Sequence, residues 1–507
     1  MTVTVPGTTS GVAVTLAAGT GDVLSLAAAL GFALQNTISG GGSPTGATVG
    51  GGVVGSTVTT KGGVFNDIVL TPGGGAINAS IAGNVSVVAS NTTTSDTLRG
   101  TNVAILTNTV GGSYAVTGNS TIAATGGNNT ISASGTFLIS TGLGNNNVSV
   151  TGSGTVATGG GTNTVNAGGA VGTNVQIQSQ GTNDVVLVGA GNANISLSGS
   201  GATVFAGTGS STVNASGTNS AIGLSSGNAT VKTSGAKNTT FAGTNSATFN
   251  DSGTGNAIGG FTGAIVVSAS GANSVIYANT GALNAFMTGA GDTINGGLST
   301  VINATMTGAA NAFGASTGID NLLMSGGNGS VFGGALGSTL NADLEGANAV
   351  ASLFMGNTAM TLGGGGAVVA GSTGTLSLTA TGTGTDTISL YTGAATINAG
   401  TANLFVVGSA GGLNFVGGSG ASTVIAGFGG NETLTGGAGA TTFEFTNLSK
   451  NATIANFTSA DTLALHGVTV SNEAFTAPSA YVVTLSDGVV ITFTGAISDP
   501  NTHTRIV

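Results

Sequence analysis

A beat of about nine residues runs through most of this chain and constrains its fold more than any other feature. One aliphatic or aromatic residue marks each step: Ile122, Ile131, Ile139, Val148, Val156, Val165, Val175, Val185, Ile195, Val204, Val213, Ile222, Val231, Phe241, Phe249 and Ile258. These fifteen steps span 136 residues, and none is shorter than eight or longer than ten. The beat continues more loosely through Ile388, Ile397, Phe405, Phe415, Val424, Leu434 and Phe443. A fixed short period is the signature of a solenoid, in which each turn of chain stacks on the last.

Within a step the text reads Gly or Asn, then Thr, then an aliphatic residue, then a small one, as in Gly127–Gly135 (GNNTISASG) and Gly161–Gly169 (GTNTVNAGG). Thr beside a β-branched residue favours a strand, and Gly/Asn/Ser clusters supply tight turns. Two steps close a coil of about eighteen residues, with coils stacked about 4.8 Å apart. The expected fold is all-β: a parallel β-helix or β-roll solenoid with about nine residues per half-coil and a C-terminal β cap. Three textures divide the chain: an irregular N-terminal β region over 1–115, the regular solenoid over 116–445, and a cap over 446–507. In the last, Tyr481–Gly495 reads as a hairpin turning at Ser486-Asp487-Gly488. A solenoid needs such an end to stop strand pairing from propagating.

Charged residues make up 4% of the 507, against about 25% in ordinary proteins. A flexible Gly/Ser linker is the alternative for such a composition, but 40% of residues are hydrophobic and regularly spaced, so a core is available. The net charge is −10, and six basic residues cannot build a phosphate-tracking surface. Nucleic acid and anionic membranes are therefore not expected partners. There is no Cys, which excludes disulfides and thiolate metal sites. No cleavable signal peptide is legible: the first basic residue is Lys61, and the apolar run Leu26 to Leu34 is too short to span a bilayer.

Catalytic patterns are scarce. His466 and His503 stand apart from any GxSxG or HExxH text and read as cap or surface residues. Asp343 and Glu345, two apart on a strand, share a face as paired glycosidase acids do, or form a solvated edge. The regular solenoid offers only Lys232 and Lys237 as bases, too few for a lyase acting on anionic sugars. No Gly-rich run ends in Gly-Lys-Ser/Thr, so these runs read as turns. The chain is expected not to be an enzyme.

Local wording adds a family. Gly384–Ile388 (GTDTI), Gly430–Leu434 (GNETL), Gly291–Ile294 (GDTI) and the segment from GGAGATTFEF to Gly467 resemble the nonapeptide repeats and C-terminal region of the RTX, or haemolysin-type, secreted proteins. The resemblance implies a parallel β-roll, type I secretion through an uncleaved C-terminal signal, and calcium-dependent folding outside the cell. The family's Asp lies two residues before the core aliphatic. Asp292, Asp320, Asp386 and Glu432 have that offset and are the candidate calcium ligands, although no two are one coil apart. A hard cation takes six to eight oxygens, and one coil after Asp386 the position holds Asn403. In the regular part the same position carries Asn129, Asn146, Asn163 and Asn183 on alternate steps, with the last register ambiguous because Asp184 precedes Val186. These four are expected to form an Asn ladder in place of a calcium ladder.

The function expected from these features is that of a secreted bacterial surface structural or adhesive protein: an S-layer, biofilm-matrix or filament component. Low charge removes the repulsion that keeps proteins apart. Self-association is therefore expected, with cell-surface polysaccharide as a further candidate partner. The alternatives are a calcium-binding RTX-like secreted module and a carbohydrate-active β-helix enzyme.

Overall fold

Inward and outward residues alternate along most of the described strands. In Asn192–Leu197, Ala193, Ile195 and Leu197 are buried while Asn192, Asn194 and Ser196 face solvent. The computed structural model describes residues 96–260, 262–371, 373–429, 431–476 and 480–495. It also describes the strands Thr2–Val5, Val12–Thr15, Ala47–Val49, Ser56–Thr59, Asp67–Leu70, Asn78–Ala82, Val85–Ala89 and Thr504–Ile506. No helix occurs among these residues, so none is long and apolar enough to cross a membrane. His503 and the run Leu26 to Leu34 lie outside the described residues.

The chain is a parallel β-solenoid with two strands per coil, and its backbone contacts divide it into two units, Met1–Asn256 and Ala257–Val507. In the first unit, Ile122 pairs with Ile139 and Ile131 with Val148, a coil of seventeen residues. Further along, Ile195, Val213 and Val231 stack at eighteen-residue intervals. Burying an aliphatic side chain of this size contributes about 1.5–3 kcal/mol, and every coil repeats it. Thr130–Thr141 and Asn147–Thr158 run through a corner of the coil as single strands. They bend at Gly135 and Gly152, both at positive φ. A Cβ at Gly152 would lie 2.1 Å from the Gly135 carbonyl oxygen, so this corner admits no side chain.

Parallel pairing begins well before residue 116: Ala47–Val49 pairs with Ile68–Leu70, and Val85–Ala89 with Val103–Thr107. The coil register therefore extends into the region whose uneven beat reads as irregular.

In the second unit, Ile265, Leu283 and Ile302 stack inward, with coils of eighteen to twenty residues. The solenoid also continues beyond residue 445. Ala452–Ala455 and Thr462–His466 are coil strands, because Ile454, Leu463 and Leu465 still supply inward side chains. The cap proper begins at Val470. Val470–Thr476, Ala480–Leu485 and Val490–Thr494 form an antiparallel meander, whose last strand lies parallel on Ala452–Ala455. The hairpin turns where the text places it, with Gly488 at φ 88°. Aromatic rings tie this cap to the coils: Phe493 packs edge-on against Phe457 at 5.2 Å, and Phe457 lies 6.2 Å from Phe443.

Three beat residues face outward. Phe241 and Phe405 are exposed while Thr240, Leu404 and Val406 fill the interior, and Val186 rather than Val185 is the inward residue of its step. Strand side chains alternate, so a shift of one residue reverses the face.

Candidate functional site

Among the described residues eight acidic side chains are buried: Asp96, Asp184, Asp251, Asp292, Asp320, Asp386, Asp461 and Glu432. Few chains place so much of their charge inside, because an unpaired buried carboxylate is costly. The backbone accounts for it. Where each coil turns into its first strand, one residue points inward, and its own N–H lies just beyond the regular ladder. In many coils the equivalent side chain of the next coil accepts that N–H, and the position is interrupted where it holds Ala202, Gly329, Ala349, Ala367 or Leu404.

In the first unit, Gly112 N–H donates to Asn129 Oδ1 (3.0 Å) and Asn129 N–H to Asn146 Oδ1 (3.0 Å). Asn146 N–H donates to Asn163 Oδ1 (3.1 Å) and Asn163 N–H to Asp184 Oδ1 (2.7 Å). The amides also bond directly, Asn146 Nδ2 donating to Asn163 Oδ1 at 2.9 Å. The same position continues through Ser220, Asn238 and Asn256, with N–H to Oδ1 distances of 2.8 and 2.7 Å. In the second unit it carries Ser274, Asp292 and Asn311, with the Ser274 N–H donating to Asp292 and the Asp292 N–H to Asn311, both at 2.8 Å. Further on, Ala367 N–H donates to Asp386 (2.9 Å) and Thr441 N–H to Asp461 (2.8 Å). A buried N–H without a partner costs roughly 1–3 kcal/mol, so each rung satisfies a definite need.

Three of the Asn expected to stack, Asn129, Asn146 and Asn163, lie in this column. Asn183 does not; the fourth rung is Asp184. Asn183 is exposed at the preceding corner with φ 55°. That corner is left-handed in successive coils, through Gly201, Asn219, Lys237 and Gly255 in the first unit and Asn273, Gly291, Ala310, Asn328, Asn348 and Gly366 in the second. Asn tolerates this conformation well. Asp184 is fully engaged, its Oδ2 accepting from Gly181 N–H (3.0 Å) and from the Ser179 hydroxyl.

The four candidate metal ligands are not brought together. Asp292 and Asp386 occupy the polar column five coils apart. Asp320 and Glu432 lie in an inward column of the opposite sheet, six coils apart. Asp320 accepts from Ser316 N–H (2.6 Å) and the Ser316 hydroxyl (2.7 Å). Glu432 Oε1 accepts from Gly427 N–H at 2.6 Å, while Oε2 is buried without a hydrogen-bond partner. Burial raises the Asp320 and Asp386 carboxyls above their ordinary range, against the pull of their hydrogen bonds, and pushes Glu432 up to about 7. Among the described residues no three His, Cys, Asp or Glu side chains gather where they could hold a metal. Single inward carboxylates that accept backbone N–H groups do not fit a hard cation needing six to eight converging oxygens.

A second ladder runs on the outside. Asn284, Asn303, Asn321 and Asn341 pair amide to amide at 2.8, 2.8 and 2.9 Å on the solvent face of the second unit. Asn303, Asn321, Asn341, Asp343, Thr361 and Ser377 line a shallow depression of about 570 Å³ there. Glu345 lies past the end of Thr339–Leu344 and does not line it, so the Asp343–Glu345 pair does not converge. His466 sits on the surface, its Nε2 3.5 Å from Glu444 Oε2.

Asn238, Asn256, Asn311 and Asp461 belong to the polar column and are missed by reading the beat alone. The offset of two before the inward residue finds Asn256 and Asn311, but the inward residue after Asn238 is Thr240, which carries no apolar mark. Comparison with family models, with curated proteins and with solved structures finds no match to this chain.

Proposed function

We propose that this protein is a secreted structural or adhesive component of a bacterial surface, of the S-layer, matrix or filament kind, that works through self-association rather than chemistry. The observation that carries this reading is the fate of the carboxylates. Eight acids among the described residues are held inside the solenoid, which leaves outer faces of Asn, Thr, Ser and exposed apolar residues with little charge. Such faces offer no long-range repulsion between copies. Their repeated rungs present the same groups coil after coil, which suits lateral packing or contact with a repeating polysaccharide.

The RTX-like wording favours a second reading, a calcium-responsive secreted module. The two-strand coil of about eighteen residues supports it, and the inward, singly placed carboxylates weigh against it.

Negative-stain electron microscopy of the purified protein, with calcium and with chelator, separates the two. Ordered filaments or sheets in both conditions support the structural reading. Assembly, or folding, only with calcium supports the second. Dispersed particles in both conditions would contradict the first.

A further inference from the structure

One edge of the second unit is unusually apolar. The turns that follow Thr293–Asn295, Ser330–Phe332, Val350–Ser352, Thr385–Ser389, Ser422–Ile425 and Thr441–Thr446 all lie on this edge, because those strands share one sheet. The turns stack directly: Thr373 N–H donates to the Phe354 carbonyl and Ala410 N–H to that of Tyr391. Along the stack stand Leu336, Phe354, Met355, Tyr391, Phe428 and Leu448, preceded by Leu298. All are exposed, Leu336 at 81% and Tyr391 at 67%. Lone exposed apolar residues need no explanation, but a row that recurs along one edge, interrupted at 314–318 and 408–412, does.

We infer that this ridge is where a second copy of the chain docks, edge to edge about a two-fold axis. The inference rests on the self-association proposed above and assigns it a place. Three observations favour a second copy as the occupant. The first is area: at ~170 Å² for each fully exposed side chain of this size, the seven present roughly 700 Å² at their observed exposures. That is close to the ~800 Å² each partner contributes to a standard interface, and above the few hundred Å² of patch usual on monomers.

The second is shape. Phe354, Met355 and Tyr391 wall a recess of about 480 Å³, kept open by Gly333, Gly334 and Gly371. The most exposed residue of the ridge, Leu336, stands immediately beside it. Knob and socket side by side are self-complementary: a two-fold axis lets Leu336 of each copy enter the other's recess, and the contact closes as a dimer. The third is charge. Over residues 296–300, 314–318, 333–338, 353–357, 390–394, 408–412 and 446–451, the only side chain charged at neutral pH is Lys450.

Sedimentation velocity on the full-length protein over a range of concentrations tests this, with far-UV circular dichroism on each variant. The wild type is expected to dimerise. Leu336→Asp and Tyr391→Asp are expected to weaken association at least tenfold while keeping the β spectrum. Val171→Asp adds the same charge at an 85% exposed site on the first unit and is expected to leave association unchanged. If either ridge variant disturbs folding, Leu336→Ser and Tyr391→Ser replace them with the same expectation. Ridge variants that associate as tightly as wild type would overturn the ridge and leave self-association standing. A wild type that stays monomeric at every concentration would overturn both.

Discussion

The side-chain oxygen Oδ1 of Asn146 accepts two hydrogen bonds from Asn129, one coil earlier: 3.0 Å from its backbone N–H and 3.3 Å from its Nδ2. One residue thus completes the backbone of one coil and orients the amide that completes another. Asn146→Ala leaves the Asn129 N–H buried and unpaired, and is expected to cost roughly 1–3 kcal/mol. Asn146→Asp keeps the acceptor but turns the Nδ2 donations to Asn163 Oδ1 (2.9 Å) and to the Gly144 carbonyl (3.0 Å) into buried contacts between acceptors, so its cost should be larger. Urea unfolding of the two variants checks the order.

Stability should depend on pH through Glu432. Its folded-state pKa, about 7, lies above the unfolded value near 4.5, because burial disfavours the carboxylate. The native state therefore holds a proton that the unfolded chain has released, and stability falls as pH rises from about 4.5 to about 7. The penalty reaches at most about 3 kcal/mol at full ionisation. Glu432→Gln retains an acceptor for Gly427 N–H and cannot ionise. Its thermal midpoint should match wild type near pH 4 and exceed it above about pH 7.

Ala310 holds φ 57° at a corner where other coils place Gly, Asn or, once, Lys237. An L-residue with a Cβ pays roughly 1–2 kcal/mol for this conformation. Ala310→Gly is expected to raise stability by about 1 kcal/mol or less, since glycine also loses more backbone entropy on folding. Denaturant midpoints measure the gain.

The cap depends on Phe493, fully buried against Phe457 and Tyr481. Phe493→Ala is expected to cost about 3–5 kcal/mol locally. The edge of Ala452–Ala455, which the cap covers, would then be free to pair with other chains. Light scattering at constant protein concentration should show faster aggregation for this variant than for Ala310→Gly.

The coil was legible because inward apolar residues recur at a fixed interval, and the hairpin at Ser486-Asp487-Gly488 because its turn chemistry is local. What was not legible followed from one-residue ambiguities. Thr239-Thr240-Phe241 offers an aromatic to the eye, yet Thr240 takes the interior. Asn183-Asp184 offers two polar candidates for one inward place, and the left-handed corner claims the first. The buried carboxylates resemble metal ligands by offset from the beat. Only the register, which aims each at a backbone N–H of its own or the preceding coil, reveals what they satisfy. The cap begins later than its change of texture suggests, because Ile454, Leu463 and Asp461 keep the coil pattern within more varied text.

The inward Asn and Asp side chains complete backbone groups of this solenoid from within, so its fold should not depend on calcium. Far-UV circular dichroism and thermal unfolding in chelator and in excess calcium test this. The same β spectrum and the same midpoint are expected in both. An unfolded chain in chelator that gains β structure when calcium is added would contradict it.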